Sequence, residues 1–220
     1  MSAPYIMQNF PNRQTAAVRS HAFDRASQLA DWEFYYSGHA PPDAWDDVDG
    51  GGVTLGSGSA TDEAFVQMQK IGSSFKMNRT SKDILLEWTG LLSSATLSEC
   101  IFGMAITNAN VLNSNITNGF GFFANMPGGP GTGYWYAWLA FGSTVQFTTY
   151  SQYQGIACDT SVHTFGIRIR TDASVTGAGT MSFYVDGVAM GPGFSSASTA
   201  IFPHDQFLRE TMALGNGSAV

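Results

Sequence analysis

Residues 163–190, HTFGIRIRTDASVTGAGTMSFYVDGVAM, decide the fold class of this chain. Apolar residues alternate with small or polar residues over 163–170 and again over 181–186. This period of two is typical of strands that bury one face. The second run ends in Asp186-Gly187, which suits a two-residue type I′ turn because both positions tolerate positive φ. The stretch therefore predicts an antiparallel β-meander, with a loop over 171–180 and a return strand over 188–190.

Further alternating runs make up most of the chain after residue 52. The run over 134–141, YWYAWLAF, is apolar throughout, which predicts either burial on both faces or an exposed contact patch. The segment over 194–202 is interpreted as a loop. About eleven short strands separated by turn residues favour an all-β sandwich of two antiparallel sheets. The other expected strands span 53–55, 65–77 with a bulge near Gly72, 84–88, 102–106, 120–122, 145–153 and 207–214.

Residues 1–50 differ from the rest and are interpreted as an N-terminal extended or helical arm, followed by the sandwich over 51–220. The segment over 12–31 has helical spacing of apolar residues, and an aromatic cluster follows over 32–36. The cluster is either a strand covering one end of the sandwich or part of an arm that docks on a neighbouring subunit. The acidic stretch Asp43–Asp49 is either a solvated hinge or a weak match to a calcium loop.

The composition of the chain argues against several classes of protein. The chain has 220 residues, a net charge of −7 and only 12% charged residues, and it contains no basic patch, which argues against a nucleic-acid partner. No run of 18 apolar residues occurs, so we expect no membrane span. The first ten residues lack the features of a signal peptide. Cys100 and Cys158 are interpreted as small buried apolar residues, with a disulfide between them as the alternative.

The sequence resembles the concanavalin A-like, laminin-G-like jelly-roll superfamily. The resemblance rests on the run TFGIRIR (164–170), the glycine-containing loop and MSFYVDGV (181–188), together with ILLEWTG (84–90) and GFGFFAN (119–125). It covers roughly residues 53–214. It implies a jelly-roll sandwich, and members of this superfamily include lectins, glucanases, adhesion modules and structural proteins of tailed bacteriophages.

We expect no enzymatic activity and no cofactor. The glucanase members of the superfamily carry a Glu-x-Asp-x-x-Glu strand whose two glutamates act in catalysis, and this spacing is absent here. The four histidines show no metal-binding spacing, and His163, which opens a strand, is interpreted as a hydrogen-bonding residue at a loop edge. The five glutamates are Glu33, Glu63, Glu87, Glu99 and Glu210.

Two groups of residues are candidates for contact with a glycan or a partner. Arg168 and Arg170 share one face of their strand, where they either form cross-strand ion pairs, with Tyr184 and Asp186 opposite, or bind a glycan or carboxylate through the guanidinium fork. Trp135 and Trp138 lie in the apolar run and either stack on sugar rings or belong to the core or a subunit interface.

The leading functional hypothesis is a non-enzymatic capsid decoration (cement) protein of a tailed bacteriophage, located in the virion. Its partners would be the major capsid protein and sister subunits, in a homo-oligomer such as a trimer. The arm would provide the contact through aromatic residues, which are Tyr5, Phe10, Phe23, Trp32, Phe34 and Tyr35. The alternative is a carbohydrate-binding, lectin-like module of a phage fibre or cell-surface protein that binds host glycans.

Overall fold

The computed structural model describes residues 32–37, 65–72, 76, 83–92, 95, 98–107, 111–112, 116–125, 133–142, 144–147, 156–172, 175–196, 200–204 and 206–216. Within these ranges the regular secondary structure is entirely β and forms two antiparallel sheets, which confirms the expected sandwich. None of these residues forms a helix long and apolar enough to cross a membrane. The expected helix over 12–31, the strand over 53–55 and the acidic stretch Asp43–Asp49 lie outside the described residues.

The larger sheet has eight strands in the order β1-β2-β13-β4-β5-β6-β7, with β8 also paired to β6. In this order β13, the last of the described strands, lies between β2 and β4. The strands are β1 (Trp32–Ser37), β2 (Phe65–Lys70), β4 (Ser98–Ala105), β5 (Gly119–Ala124), β6 (Tyr134–Phe141), β7 (Thr144–Phe147), β8 (Ile156–Ala157) and β13 (Arg209–Asn216).

The smaller sheet has five strands in the order β11-β10-β9-β3, with β12 also paired to β10. These strands are β3 (Asp83–Gly90), β9 (His163–Thr171), β10 (Gly179–Val185), β11 (Val188–Ala189) and β12 (Phe194–Ser196). The expected meander is thus confirmed. Asp186 and Gly187 have φ values of 51° and 80°, so both central positions of the turn after β10 have the positive φ that a type I′ turn requires.

The main core lies between the two sheets and consists of the inward residues of each alternating strand. Phe165 of β9 occupies its centre, with ring centroids 4.8 Å from Phe102, 5.2 Å from Phe122 and 4.6 Å from Trp135. Edge and tilted ring contacts of this kind add to the apolar burial that holds the sheets together. The core on the smaller sheet is completed by Ile84, Leu86, Trp88, Ile167, Ile169, Met181, Phe183 and Val185.

A second apolar cluster covers the outer face of the larger sheet. It joins Phe123, Tyr136 and Trp138 to residues of the segment after β4, namely Val111, Leu112 and Ile116. Gly119 makes room for it, because a Cβ at this position would lie 2.7 Å from the Trp138 ring. The strand β6 is therefore buried on both faces, as one of the two sequence interpretations predicted.

Two expectations about individual strands need correction, and one is confirmed. The strand expected over 65–77 ends at Lys70, and Gly72 (φ 68°) belongs to a bend instead of a bulge. The segment interpreted as a loop begins with a short strand, because residues 194–196 pair with β10. The aromatic cluster over 32–36 lies in a strand, as one of its two interpretations predicted, because β1 pairs along its whole length with β2 at the edge of the larger sheet.

Candidate functional site

The outer face of the smaller sheet presents a group of polar side chains. Because the alternate residues of β3, β9 and β10 fill the core, the residues between them point away from it. Most of these outward positions are partly exposed. We call this surface the polar face and define it by Asp83, Glu87, Arg168, Arg170 and Tyr184.

One end of the polar face is an arginine–aspartate network. Arg168 donates to Asp83 Oδ2 from Nη2 at 2.5 Å and from Nε at 3.1 Å, while Arg170 donates from Nε to Oδ1 at 3.0 Å. Burial opposes the ionisation of Asp83, but the hydrogen bonds and charges of the two arginines outweigh it and hold the pKa of Asp83 below its ordinary value. The cross-strand ion pairing expected for the arginines is therefore present, but its partner is Asp83 of β3. Asp186, the partner that the sequence suggested, lies in the turn after β10 instead.

The two arginines differ in what they leave accessible. The side chain of Arg168 is 27% exposed and uses both Nε and Nη2 on Asp83. The side chain of Arg170 is 60% exposed, and only its Nε bonds to Asp83. Among the described residues, the terminal Nη1 and Nη2 of Arg170 have no partner. Arg170 therefore presents the outer edge of its guanidinium to solvent.

The other end of the polar face is the row Tyr184–Gly166–Glu87. The register places Gly166 directly opposite Tyr184 on one side and Glu87 on the other. Gly166 has no side chain and is buried, so neighbouring residues cover this position between the two partly exposed side chains. Glu87 Oε2 is buried without a hydrogen-bond partner, and burial raises the pKa of Glu87.

The structure does not bring the candidate tryptophans to the polar face. Trp135 and Trp138 are each 2% exposed, Trp135 within the main core and Trp138 within the cluster on the outer face of the larger sheet. The indole N–H of each is buried without a hydrogen-bond partner. Arg168 and Arg170 lie on the other sheet, so the four candidate residues occupy three separate places. Contact of the tryptophans with a glycan or partner stays a prediction.

The aromatic residues assigned to the arm are only partly described. Trp32 is buried at the start of β1, with the Lys70 ammonium 5.7 Å from its ring centroid. Phe34 and Tyr35 are half-buried in the same strand, and Tyr35 donates to Glu33 at 2.8 Å. Tyr5, Phe10 and Phe23 lie outside the described residues. The partner role of all six residues stays a prediction.

His163 forms a second polar cluster, at the end of the smaller sheet. Its Nδ1 lies 2.6 Å from Asp186 Oδ2 and its Nε2 lies 3.0 Å from Asp159 Oδ1. We call these three residues the histidine clamp. It connects the turn after β10 with the segment that follows β8, and so links the two sheets. The interpretation of His163 as a hydrogen-bonding residue is confirmed, while Asp159 was not recognised as its partner.

The described residues contain no disulfide and no cluster of metal ligands. Cys100 and Cys158 are free thiols that pack against the main core, which confirms the first interpretation over the disulfide. Burial raises the pKa of each thiol to about 12. No group of three or more His, Cys, Asp or Glu side chains in the described ranges could hold a metal ion. Calcium binding at Asp43–Asp49 stays untested, because that stretch is not described.

The residues of the polar face that sequence reasoning did not select are Asp83, Glu87 and Tyr184. The alternation in DILLEW had placed Glu87 on the outward face, and the same rule places Asp83 there, four residues earlier. What the sequence lacked was the pairing of β3 with β9. That pairing sets Asp83 opposite Arg170 and Glu87 opposite Gly166.

Comparison with known proteins gives a likeness of fold. No protein-family model matches the chain, and no curated protein matches it in sequence. A mutant form of the Emp46p carbohydrate recognition domain aligns with a TM-score of 0.53 and 11% identity, covering 86% of this chain and 83% of that one. The potassium-bound form of the same domain gives 0.53 and 12%, with coverage of 88% and 84%. A carbohydrate esterase of the Shiga toxin-encoding bacteriophage phi24B covers 90% of this chain and 96% of that one, with a TM-score of 0.41 and 10% identity. The fold of this chain is therefore the concanavalin A-like jelly-roll β-sandwich that lectin-like carbohydrate recognition domains share.

Proposed function

We propose that this chain is a non-catalytic carbohydrate-binding domain that contacts its glycan through the polar face. The observation that carries the proposal is the row Tyr184–Gly166–Glu87, where the partly exposed residues Tyr184 and Glu87 flank a position without a side chain. The likeness of the fold to a carbohydrate recognition domain supports the same class of ligand.

The chemistry of the row suits a sugar. The apolar side of a pyranose ring can pack on an aromatic face, as Tyr184 would allow, while its hydroxyl groups donate to carboxylates. Beside this row, Arg168 and Asp83 form a partly buried pair that fixes the surface in one geometry.

The carboxyl groups of the polar face do not suit glycoside hydrolysis. Glycosidases place two carboxyl groups about 5–9.5 Å apart, with the scissile bond between them. Glu87 and Asp83 are four residues apart on β3, a distance of about 13 Å along an extended strand. Asp83 is moreover engaged by both arginines. These features support binding without catalysis.

A glycan array tests the proposal. The full chain should bind a subset of the arrayed glycans, and Tyr184→Ala should weaken the binding several-fold to about tenfold, the effect expected for one aromatic contact. Tyr35→Ala is the matched control, because Tyr35 is also half-buried but lies on the larger sheet. If Tyr184→Ala binds as the wild type does, the glycan does not contact the polar face. If a folded chain binds no glycan, the proposed function is wrong.

Capsid decoration is a second proposal, and the position of β1 favours it. In the described sheet order β1 is the outermost strand, and it pairs with β2 on one side only. An edge strand of this kind can receive a strand from another subunit. The test is co-sedimentation of the full chain with capsids that lack it, compared with a variant without residues 1–31. Deletion of 1–50 would also remove β1, so the shorter deletion is the sharper test of the arm. Unchanged co-sedimentation of that variant would exclude a contact through residues 1–31 and leave the edge strand β1 as the candidate contact, whereas no co-sedimentation of the full chain would refute this proposal.

A further inference from the structure

We infer that the glycan bound by the polar face is acidic, and that Arg170 binds its carboxylate through the terminal nitrogens Nη1 and Nη2. The sugar class is therefore a uronic or sialic acid within an oligosaccharide. This inference rests on the proposed function and adds the chemical class of the ligand.

The orientation of the Arg170 guanidinium is the first argument. Asp83 Oδ1 accepts from Nε at 3.0 Å and so occupies the inner edge of the group. The opposite edge, Nη1 and Nη2, points away from Asp83 and has no partner among the described residues. A guanidinium presents parallel N–H groups along such an edge, which match the two oxygens of a carboxylate. Asp83 thus acts as a positioning residue, holding the fork of Arg170 toward the solvent.

The local charge is the second argument. Arg168, Arg170 and Asp83 together carry 2 − 1 = +1, on a chain whose net charge is −7. Glu87 does not cancel this charge, because it lies four residues along β3 from Asp83, about 13 Å away. Asp172, which follows β9, accepts from the Val175 N–H at 3.1 Å and adds a second negative charge, so the four charged groups at this end of the polar face balance. The partner that complements this end is anionic because Arg170, the most exposed of the ion-paired groups, presents its unpartnered guanidinium edge outward.

The length of the polar face is the third argument. The row that holds Tyr184 and the row that holds Arg170 are four residues apart along β9, about 13 Å. A sugar ring that packs on Tyr184 therefore cannot place its own carboxylate on Arg170. A second acidic ring of the same chain can, so the ligand must be an oligosaccharide with an acidic unit away from the ring at Tyr184.

Matched pairs of ligands test the inference. Calorimetry of the full chain would compare trigalacturonate with its methyl ester, and sialyllactose with lactose, alongside an array of acidic glycans and their neutral counterparts. The acidic member of a bound pair should bind roughly tenfold more tightly at low salt, the effect of one charge-assisted, bidentate contact. The preference should decrease as salt is added.

Three variants assign the preference to Arg170. Arg170→Gln should abolish it, and Arg170→Lys, which keeps the charge without the fork, should retain only part of it. Both variants leave the two bonds between Arg168 and Asp83 in place, so the fold should persist. Arg209→Gln is the control, because it removes one positive charge from the larger sheet, where Arg209 lies 3.6 Å from Glu33. It should bind as the wild type does.

The outcomes separate this inference from the proposed function. Equal affinity for acidic and neutral partners, or a preference that survives Arg170→Gln, would refute the inference. If glycan binding is nevertheless weakened by Tyr184→Ala, the proposed carbohydrate-binding function stands without the preference for an acidic sugar. A folded chain that binds no glycan, acidic or neutral, would refute both.

Discussion

The stability of the histidine clamp should depend on pH in a defined direction. The neutral imidazole of His163 has one N–H and can donate to either Asp186 or Asp159, whereas the imidazolium can donate to both. Burial favours the neutral ring, but the hydrogen bonds and charges of the two carboxylates outweigh it and raise the pKa of His163 above its ordinary value. The folded chain therefore binds this proton more tightly than the unfolded chain does.

The sign of the effect follows from proton linkage. A histidine whose pKa is raised in the folded chain contributes its full stabilisation at pH values below the ordinary histidine pKa of about 6.5. This contribution disappears as the pH rises through the pKa of the folded state. Replacing His163 by Gln should therefore lower the free energy of unfolding more at about pH 5.5 than at about pH 8.5. Contributions from Glu87 and Glu99, whose pKa values burial raises, are common to both proteins and cancel in the comparison.

The magnitude comes mainly from the contact with Asp186. A hydrogen bond to a charged group contributes about 1.5–3 kcal/mol when it is shielded from water. The Asp186 side chain is 49% exposed, so screening reduces the expected loss to about 1 kcal/mol. For a domain of this size such a loss corresponds to a decrease in Tm of about 2–4 °C.

Urea denaturation of the wild type and His163→Gln at both pH values is the assay. Asp186→Asn is the matched variant, because Asn-Gly also suits a type I′ turn while the carboxylate is lost. It should reduce the same pH-dependent increment, and the double variant should be less destabilised than the sum of the two single variants. If the loss of unfolding free energy in His163→Gln is the same at both pH values, or larger at pH 8.5, protonated His163 does not stabilise the fold.

Three other perturbations have definite expected results. Phe122→Ala should lower the free energy of unfolding by about 3–5 kcal/mol in denaturant titrations, since the ring is fully buried between the sheets, whereas Leu91→Ala, at an exposed position, should change it by less than about 0.5 kcal/mol. Asp83→Asn should lower the free energy of unfolding by about 1–2 kcal/mol at neutral pH. Because the pKa of Asp83 is lowered in the folded chain, this difference from the wild type should shrink as the pH falls below about 4. A difference that grows on acidification would contradict the ion pairing of Asp83 with the two arginines. Cys100 and Cys158, with thiol pKa values of about 12, should react with iodoacetamide at pH 8 far more slowly in the native than in the unfolded protein, as mass spectrometry would show; rapid native labelling would contradict their burial.

Local patterns in the sequence were sufficient to predict much of the fold. Alternation over 163–170 and 181–186 located β9 and β10, because a strand with one buried face repeats every two residues. Asp186-Gly187 located the turn, because few residues other than glycine, asparagine and aspartate tolerate positive φ. Both signals depend only on neighbours along the chain. The short strand β12 lacked such a signal, because its three residues form only through pairing with β10.

The composition of the polar face depended on pairing between distant residues. Asp83 and Arg170 are 87 residues apart, and their contact follows from the pairing of β3 with β9. Nothing in the local sequence distinguishes that pairing from other antiparallel arrangements of the same strands. The partner of the arginines was therefore misassigned to Asp186, which lies in the turn directly after the neighbouring strand β10.

The separation of the candidate tryptophans could have been predicted. Trp135 and Trp138 are three residues apart on one strand, and an odd spacing in a strand places two side chains on opposite faces. The structure has them on opposite faces of β6. By the same rule Arg168 and Arg170, two residues apart, share a face, and both bond to Asp83.

The position of β13 has a consequence for how the chain acquires its structure during synthesis. This strand pairs with β2 on one side and β4 on the other, so residues 209–216 complete the middle of the larger sheet. While β13 is still being translated, β2 and β4 each lack a neighbour, and their unpaired edges are open to contacts with other chains. Long-range pairing of this kind also slows folding. The nascent chain should therefore need protection by chaperones until residue 216 has left the ribosome, and truncation before residue 209 should give aggregated protein.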